Sequence, residues 1–134
     1  LKVIIQSPSK DVADQVVNSL TVEKDNWEKA AVQTESGYEL MNRRDIEFIE
    51  ILGTQVTYHL EGKEITSKGR LYRILDELDQ GIFLQVHKSY IVNIKKIVKL
   101  KTYFSGNMIA HMDSGSKVSV SRRYLPELKR MLNI

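Results

Sequence analysis

The sequence predicts a mainly β, α+β domain: short antiparallel strands in small sheets, with two or three short helices. Three observations predict it. Apolar and polar residues alternate over several short runs, the period of a half-buried strand. Turn-forming pairs and triplets punctuate those runs: Gly53-Thr54, Glu61-Gly62, Ser105-Gly106-Asn107 and Asp113-Ser114-Gly115. Helical periodicity is confined to brief segments.

Taken in order, residues 1–6 (LKVIIQ) read as an apolar strand. Ser7-Pro8-Ser9 breaks it, and Ser9 is suited to cap a helix over 10–20, where Val12, Val16, Val17 and Leu20 share one face. Asp11 and Asp14 suit the positive end of its dipole. Residues 21–28 form a polar connector, and Trp27 packs against a core edge. From Lys29 the period becomes strand-like. Ala30, Val32 and Thr34 mark a strand that ends at Ser36-Gly37. Residues 46–52, 56–60 and 64–67 make a three-stranded meander, with Val56, Tyr58 and Leu60 alternating cleanly.

Residues 70–79 are the second helix, since Leu71, Ile74, Leu75 and Leu78 fall on one stripe and Gly81 is a stop just beyond. Strands follow at 82–86, 96–101, 108–112 and 117–121. A final helix carries Leu125, Leu128 and Leu132. Pro126 is awkward if Ser121 is its cap, because it would sit past the first turn; a cap nearer Arg123 relieves this.

Length and composition bound the function. A chain of 134 residues is one domain's worth, able to bury roughly two-thirds of its unfolded surface. It opens at Leu1 rather than Met, as a piece of a longer protein would. There is no cysteine, which removes disulfides, thiol nucleophiles and thiolate metal sites. No apolar run reaches the ~18 residues of a membrane span, and no signal-peptide pattern opens the chain. The net charge of +3 conceals a gradient: residues 1–80 carry −5 and residues 81–134 carry +8. That local excess is a field a polyanion would feel.

Catalytic constellations are missing from the sequence. His59, His87 and His111 fall on separate predicted strands without chelating partners, and no HExxH, P-loop, GxGxxG or GxSxG occurs. Asp76, Glu77 and Asp79 face outward from their helix as solvated surface. The expectation is a non-enzyme with no cofactor, no metal and no small-molecule substrate.

Two segments are informative. In residues 82–93 (IFLQVHKSYIVN) an apolar run surfaces as His87-Lys88-Ser89-Tyr90, and Ile91 and Val92 return to the core. Lys88 and Ser89 can contact phosphate oxygens, and Lys88 can also donate to guanine acceptors. His87 and Asn93 read as local hydrogen-bonding pieces of the loop. In residues 115–124 (GSKVSVSRRY) two arginines follow where a strand ends. Cations at a helix start oppose the dipole, a local cost that favours a functional role for Arg122 and Arg123.

Together these segments resemble the LytTR family of bacterial DNA-binding domains. The likeness runs from about residue 30 to 133, through DIEFIEI (45–51), GTQVTYHLEGKEI (53–65), LYRILDEL (71–78), the signature within 82–93 and the run at 113–132. It implies small sheets of LytTR type in residues 30–134, and a transcription regulator that inserts loops into successive major grooves. Site residues implied by the resemblance fall on three turns: Thr54 and Gln55, Lys88 and Ser89, and Arg122 and Arg123. Arg122 is the expected base reader, and Lys117 and Lys68 are expected at phosphates. Lys88 stands where many members have arginine; it lacks the planar fork, which moves that turn toward phosphate contact. Thr54 is shorter than the usual residue there.

The resemblance further implies double-stranded DNA with paired repeat sites, a homodimer at least on DNA, and a cytoplasmic location. Residues 1–29 form a β–α extension, too short for a receiver and without its acidic phosphoacceptor pocket. Receiver-less members include some controlled by a regulatory membrane protein. Two other classes stay open. An RNA-binding β-barrel would stack bases on exposed aromatics, whereas Tyr58, Tyr90, Tyr103 and Phe104 are scattered. A non-catalytic protein-interaction domain would dock an acidic partner on the basic third. Competition with single-stranded RNA separates the first from duplex binding, and preference for one duplex sequence over scrambled DNA at fixed salt separates the second.

Overall fold

The computed structural model describes residues 29–134, apart from 79–80 and 104–105. The expectations for residues 1–28, Trp27 included, and those for Asp79, Phe104 and Ser105 lie outside the described residues. Ten strands and two α-helices are described: β1 (Lys29–Thr34), β2 (Gly37–Asn42), β3 (Ile46–Leu52), β4 (Gln55–Leu60), β5 (Lys63–Lys68), α1 (Leu71–Glu77), β6 (Phe83–His87), β7 (Tyr90–Asn93), β8 (Ile97–Thr102), β9 (Met108–Met112), β10 (Lys117–Val120) and α2 (Leu125–Leu132). All pairings are antiparallel. They form a two-stranded β1-β2 sheet, a central sheet of order β5-β4-β3-β7-β6, and a third of order β10-β9-β8.

The central sheet is covered on both faces, so its middle strand β3 buries five of its seven residues rather than every second one. On one face Ile49, Ile51, Val56 and Ile91 pack with Val32 and Met41 of the hairpin and with Ile74 of α1. On the other, Phe48, Val86 and Val92 pack with Ala110, Met112, Val118 and Val120 of the third sheet and with Leu125 and Leu128 of α2. A bulge between Ile46 and Phe48 lets both Ile46 and Ile49 reach the first core. Glu47, only 3% exposed, uses its carboxylate to accept from the Ser114 backbone N–H at 2.9 Å and its hydroxyl at 2.6 Å. This ties the β9–β10 turn to β3.

The strand β2 was not expected. Its large residues Tyr38 and Leu40 are 71% and 68% exposed while Met41 is buried, so its alternation runs against the hydropathy rule. Pairing with β1 makes it a strand. Likewise β7 is a strand in its own right, pairing with both β3 and β6.

The final helix starts later than expected. Residues 122–124 form a 3-10 turn, α2 begins at Leu125, and Pro126 falls in its first turn where no backbone donor is needed. Asn133, at φ 61°, closes it in the left-handed conformation. Asn93, 2% exposed, is the hydrogen-bonding piece expected: its Nδ2 donates to the Arg44 and Ile46 carbonyls and its Oδ1 accepts from the Lys95 N–H.

Candidate nucleic-acid interface

Strand direction decides which turns meet. The chain leaves β3 at Leu52, turns through Gly53 and Thr54, and returns along β4. Because β7 runs beside β3 with Glu50 opposite Tyr90, the Lys88-Ser89 turn emerges at that same end. The Ile51 N–H donates to the Ser89 carbonyl at 2.8 Å, which joins the two turns directly.

The third turn arrives through β10. A bulge between Gln85 and His87 leaves Val86 as the extra residue of β6. The Val86 carbonyl accepts from the Ser121 N–H at 2.8 Å. This places Arg122 and Arg123, both exposed, beside the Lys88 turn. Of the expected site residues, Thr54, Gln55, Lys88, Ser89, Arg122 and Arg123 therefore share one end of the molecule.

Lys68 joins them, since it pairs with Gln55 across β4 and β5, and the Gly69 N–H donates to the Thr54 carbonyl at 2.9 Å. Lys117 does not. It opens β10, opposite His111, four extended residues before Ser121, or roughly 13 Å away along the strand.

The Lys88 turn is held from beneath. His87 accepts the Ser89 N–H at Nδ1 (3.0 Å), which leaves its ring proton for Nε2. Its ring tilts against Tyr90, 5.1 Å between centroids. The Tyr90 phenol is held above its usual range by burial, then by the Glu50 carboxylate opposite it and their hydrogen bond, so it stays protonated. The Thr54 and Lys88 side chains are exposed.

Around Arg122 the structure adds residues the sequence did not single out. The Arg122 backbone N–H donates to Asn107 Oδ1 at 3.1 Å. The side chain lies over Gly106 of the β8–β9 turn, so closely that a Cβ there would stand 2.9 Å from Arg122 Cδ. A cleft of about 340 Å³ beside it is lined by His87, Tyr103 and Asn107 among others. Ser105-Gly106-Asn107 was legible only as a turn; nothing local marks it as the neighbour of Arg122. The Arg123 guanidinium sits over the Tyr124 ring, 5.6 Å from its centroid.

Among the described residues no carboxylate is within ion-pair distance of Lys68 or Lys88, and no group of three or more His, Asp or Glu could hold a metal ion. No helix among them is long and apolar enough to cross a membrane. Among the described residues the tyrosines form no shared exposed platform: Tyr58 packs on one core, Tyr90 on the other, and the exposed Tyr38, Tyr72 and Tyr103 lie on β2, on α1 and just past β8.

A small, loop-bearing β domain with its polar, cationic turns gathered at one end is the kind of scaffold that reads a ligand with loops. The model of the LytTr DNA-binding domain family matches residues 36–133, so the chain belongs to that family. It is 33% identical over 106 residues to the sensory transduction protein LytT of Bacillus anthracis, covering 79% of this chain and 43% of that protein. It is 26% identical over 131 residues to LytT of Enterococcus faecalis, covering 98% of this chain and 54% of that one. The chain thus spans about half the length of these curated relatives. In fold it is similar to a solved LytTr DNA-binding domain of a Bacillus cereus response regulator, with a TM-score of 0.72 at 21% identity over 80% of this chain and 98% of that one.

Proposed function

We propose that this chain is the sequence-specific, double-stranded-DNA-binding part of a transcription regulator, and that it presents its three turns to successive major grooves. One observation carries the reading: two backbone hydrogen bonds, Ile51 to Ser89 and Val86 to Ser121, bring the three turns to a single end. Turns fixed to each other in this way form a rigid comb, and rigid spacing is what base-edge readout needs. In this reading Arg122 and Arg123 supply forked donors to base acceptors, Lys88 and Lys68 hold phosphates, and Ser89, Thr54 and Gln55 make short polar contacts. Lys117, away from this end, contributes only through the screened field.

The scattered aromatics disfavour single-stranded RNA stacking. No catalysis, cofactor or small-molecule substrate is part of the reading. Residues 1–29 are proposed as an extension and 30–134 as the binding domain. Dimeric binding at paired repeats, cytoplasmic residence and a regulatory membrane protein rest on the family resemblance alone.

Selection of bound duplexes from a random library tests the reading. Two repeats spaced by about one helical turn or a multiple are expected. Recovery of duplexes with no common sequence would refute it. Light scattering of the full chain beside a chain starting at Trp27 tests the extension's role in self-association.

A further inference from the structure

We propose that Gln85 is a positioning residue that fixes the distance between the Lys88 turn and the Arg122-Arg123 turn, and so sets sequence preference without contacting DNA. The proposal rests on the reading that this end of the molecule binds duplex DNA.

Gln85 occupies the last regular position of β6, opposite Ile91, just before the bulge. Its side-chain amide has two hydrogens, and each has an acceptor. Nε2 donates to the His87 carbonyl at 3.2 Å and to the Tyr124 hydroxyl at 3.3 Å. The first acceptor precedes Lys88; the second follows Arg123, whose guanidinium lies over that same Tyr124 ring. One half-buried amide therefore bridges two turns that are 35 residues apart in the chain, from His87 to Arg122. The Ser121–Val86 backbone bond brings the turns near each other and holds the chain just before Arg122, where the 3-10 turn at 122–124 begins. Gln85 supplies a second tie on the far side of the arginines. Two ties on either side of a short turn restrict rotation as one cannot. Pre-organised donors lose less entropy on meeting base edges, and a mispositioned fork fails first at the preferred sequence. Phosphate attraction depends on charge and distance rather than fork angle, so it is insensitive to such a pivot.

Three proteins decide the matter: wild type, Gln85→Leu and Tyr124→Phe. Leucine keeps the volume and removes both donations. Phenylalanine keeps the ring under Arg123 and removes only one acceptor. Each is titrated against a library-selected duplex and a scrambled duplex, with thermal melts alongside. Gln85→Leu is expected to lose about tenfold in affinity for the selected duplex, the scale of one or two polar ties. Tyr124→Phe is expected to lose about threefold. Affinity for scrambled DNA and its salt dependence should stay as in wild type. If wild type itself shows no preference for any duplex, the DNA reading falls and this proposal with it. If wild type discriminates and Gln85→Leu discriminates equally well, Gln85 has no positioning role. If Gln85→Leu loses selected and scrambled binding together with a lowered melting temperature, the residue is merely structural and the proposal is overturned.

Discussion

Replacing Gly106 with alanine perturbs Arg122 without touching it chemically. Two effects can be separated. Gly106 has φ +80°, so alanine there carries a left-handed backbone cost of about 1 kcal/mol. The new Cβ would also stand 2.9 Å from Arg122 Cδ, against ordinary contact at 3.4 Å or more, so the arginine must move by at least about 0.5 Å. Gly62 is the internal control. It has φ +71° in the β4–β5 turn at the opposite end of β4, and nothing lies within 4 Å of a Cβ there. Gly106→Ala and Gly62→Ala should therefore lose similar stability in urea unfolding, about 1 kcal/mol each. Only Gly106→Ala should weaken binding to a library-selected duplex. A good bidentate arginine–base pair is worth ~1–3 kcal/mol, so partial misplacement should cost about 1 kcal/mol, or roughly fivefold. Fluorescence anisotropy with labelled selected and scrambled duplexes reads this difference. Equal binding by the two alanine variants at a salt concentration where wild type discriminates would refute both the seat of Arg122 and its role.

Other expectations follow from the same geometry. Arg122→Ala should cost ~1–3 kcal/mol at the selected duplex and relax base preference, whereas Lys88→Ala should weaken selected and scrambled DNA alike and lower the salt slope by about one; a gel-shift titration in which Arg122→Ala binds as wild type would sink the assignment. Lys117→Ala should change affinity much less than Lys88→Ala, and an equal loss would place DNA along β10 instead. Asn93→Ala leaves the Lys95 N–H and the Arg44 and Ile46 carbonyls without their partner, so a loss of about 3 kcal/mol is expected in denaturant melts; a loss near zero would show that water replaces the side chain. The His111 imidazole is held below its ordinary 6.5 by partial burial and then by Lys117, Lys99 and Lys101. The folded protein then binds its proton less readily than the unfolded chain, so this group opposes folding as pH falls below about 6.5. Its resonance should titrate low in wild type and move up in Lys117→Ala; no movement would remove the lysine as a cause.

Much of the fold was legible because strand periodicity is local. Val56, Tyr58 and Leu60 announce β4, and the meander β3-β4-β5 follows from its turns. The failures have local causes too. Tyr38 and Leu40 point outward, which hid β2, and the 3-10 turn at 122–124 moved the start of α2 past Arg123 to Leu125. Glu47 sits in a run that reads as plain apolar strand; only the bulge and the distant Ser114 explain a carboxylate there.

The sequence by itself determined most of the elements from β3 onward, the cationic last third and the polar character of the turns at Thr54, Lys88 and Arg122. Each depends on residues within a few positions of one another. The tertiary structure decided which turns are neighbours. It put β7 beside β3, set the end of β10 against β6, brought Lys68 and Asn107 into the same neighbourhood, and left Lys117 outside it. Strand order is a non-local choice, made when two cores close on opposite faces of one sheet, and no period of two or 3.6 residues carries that information.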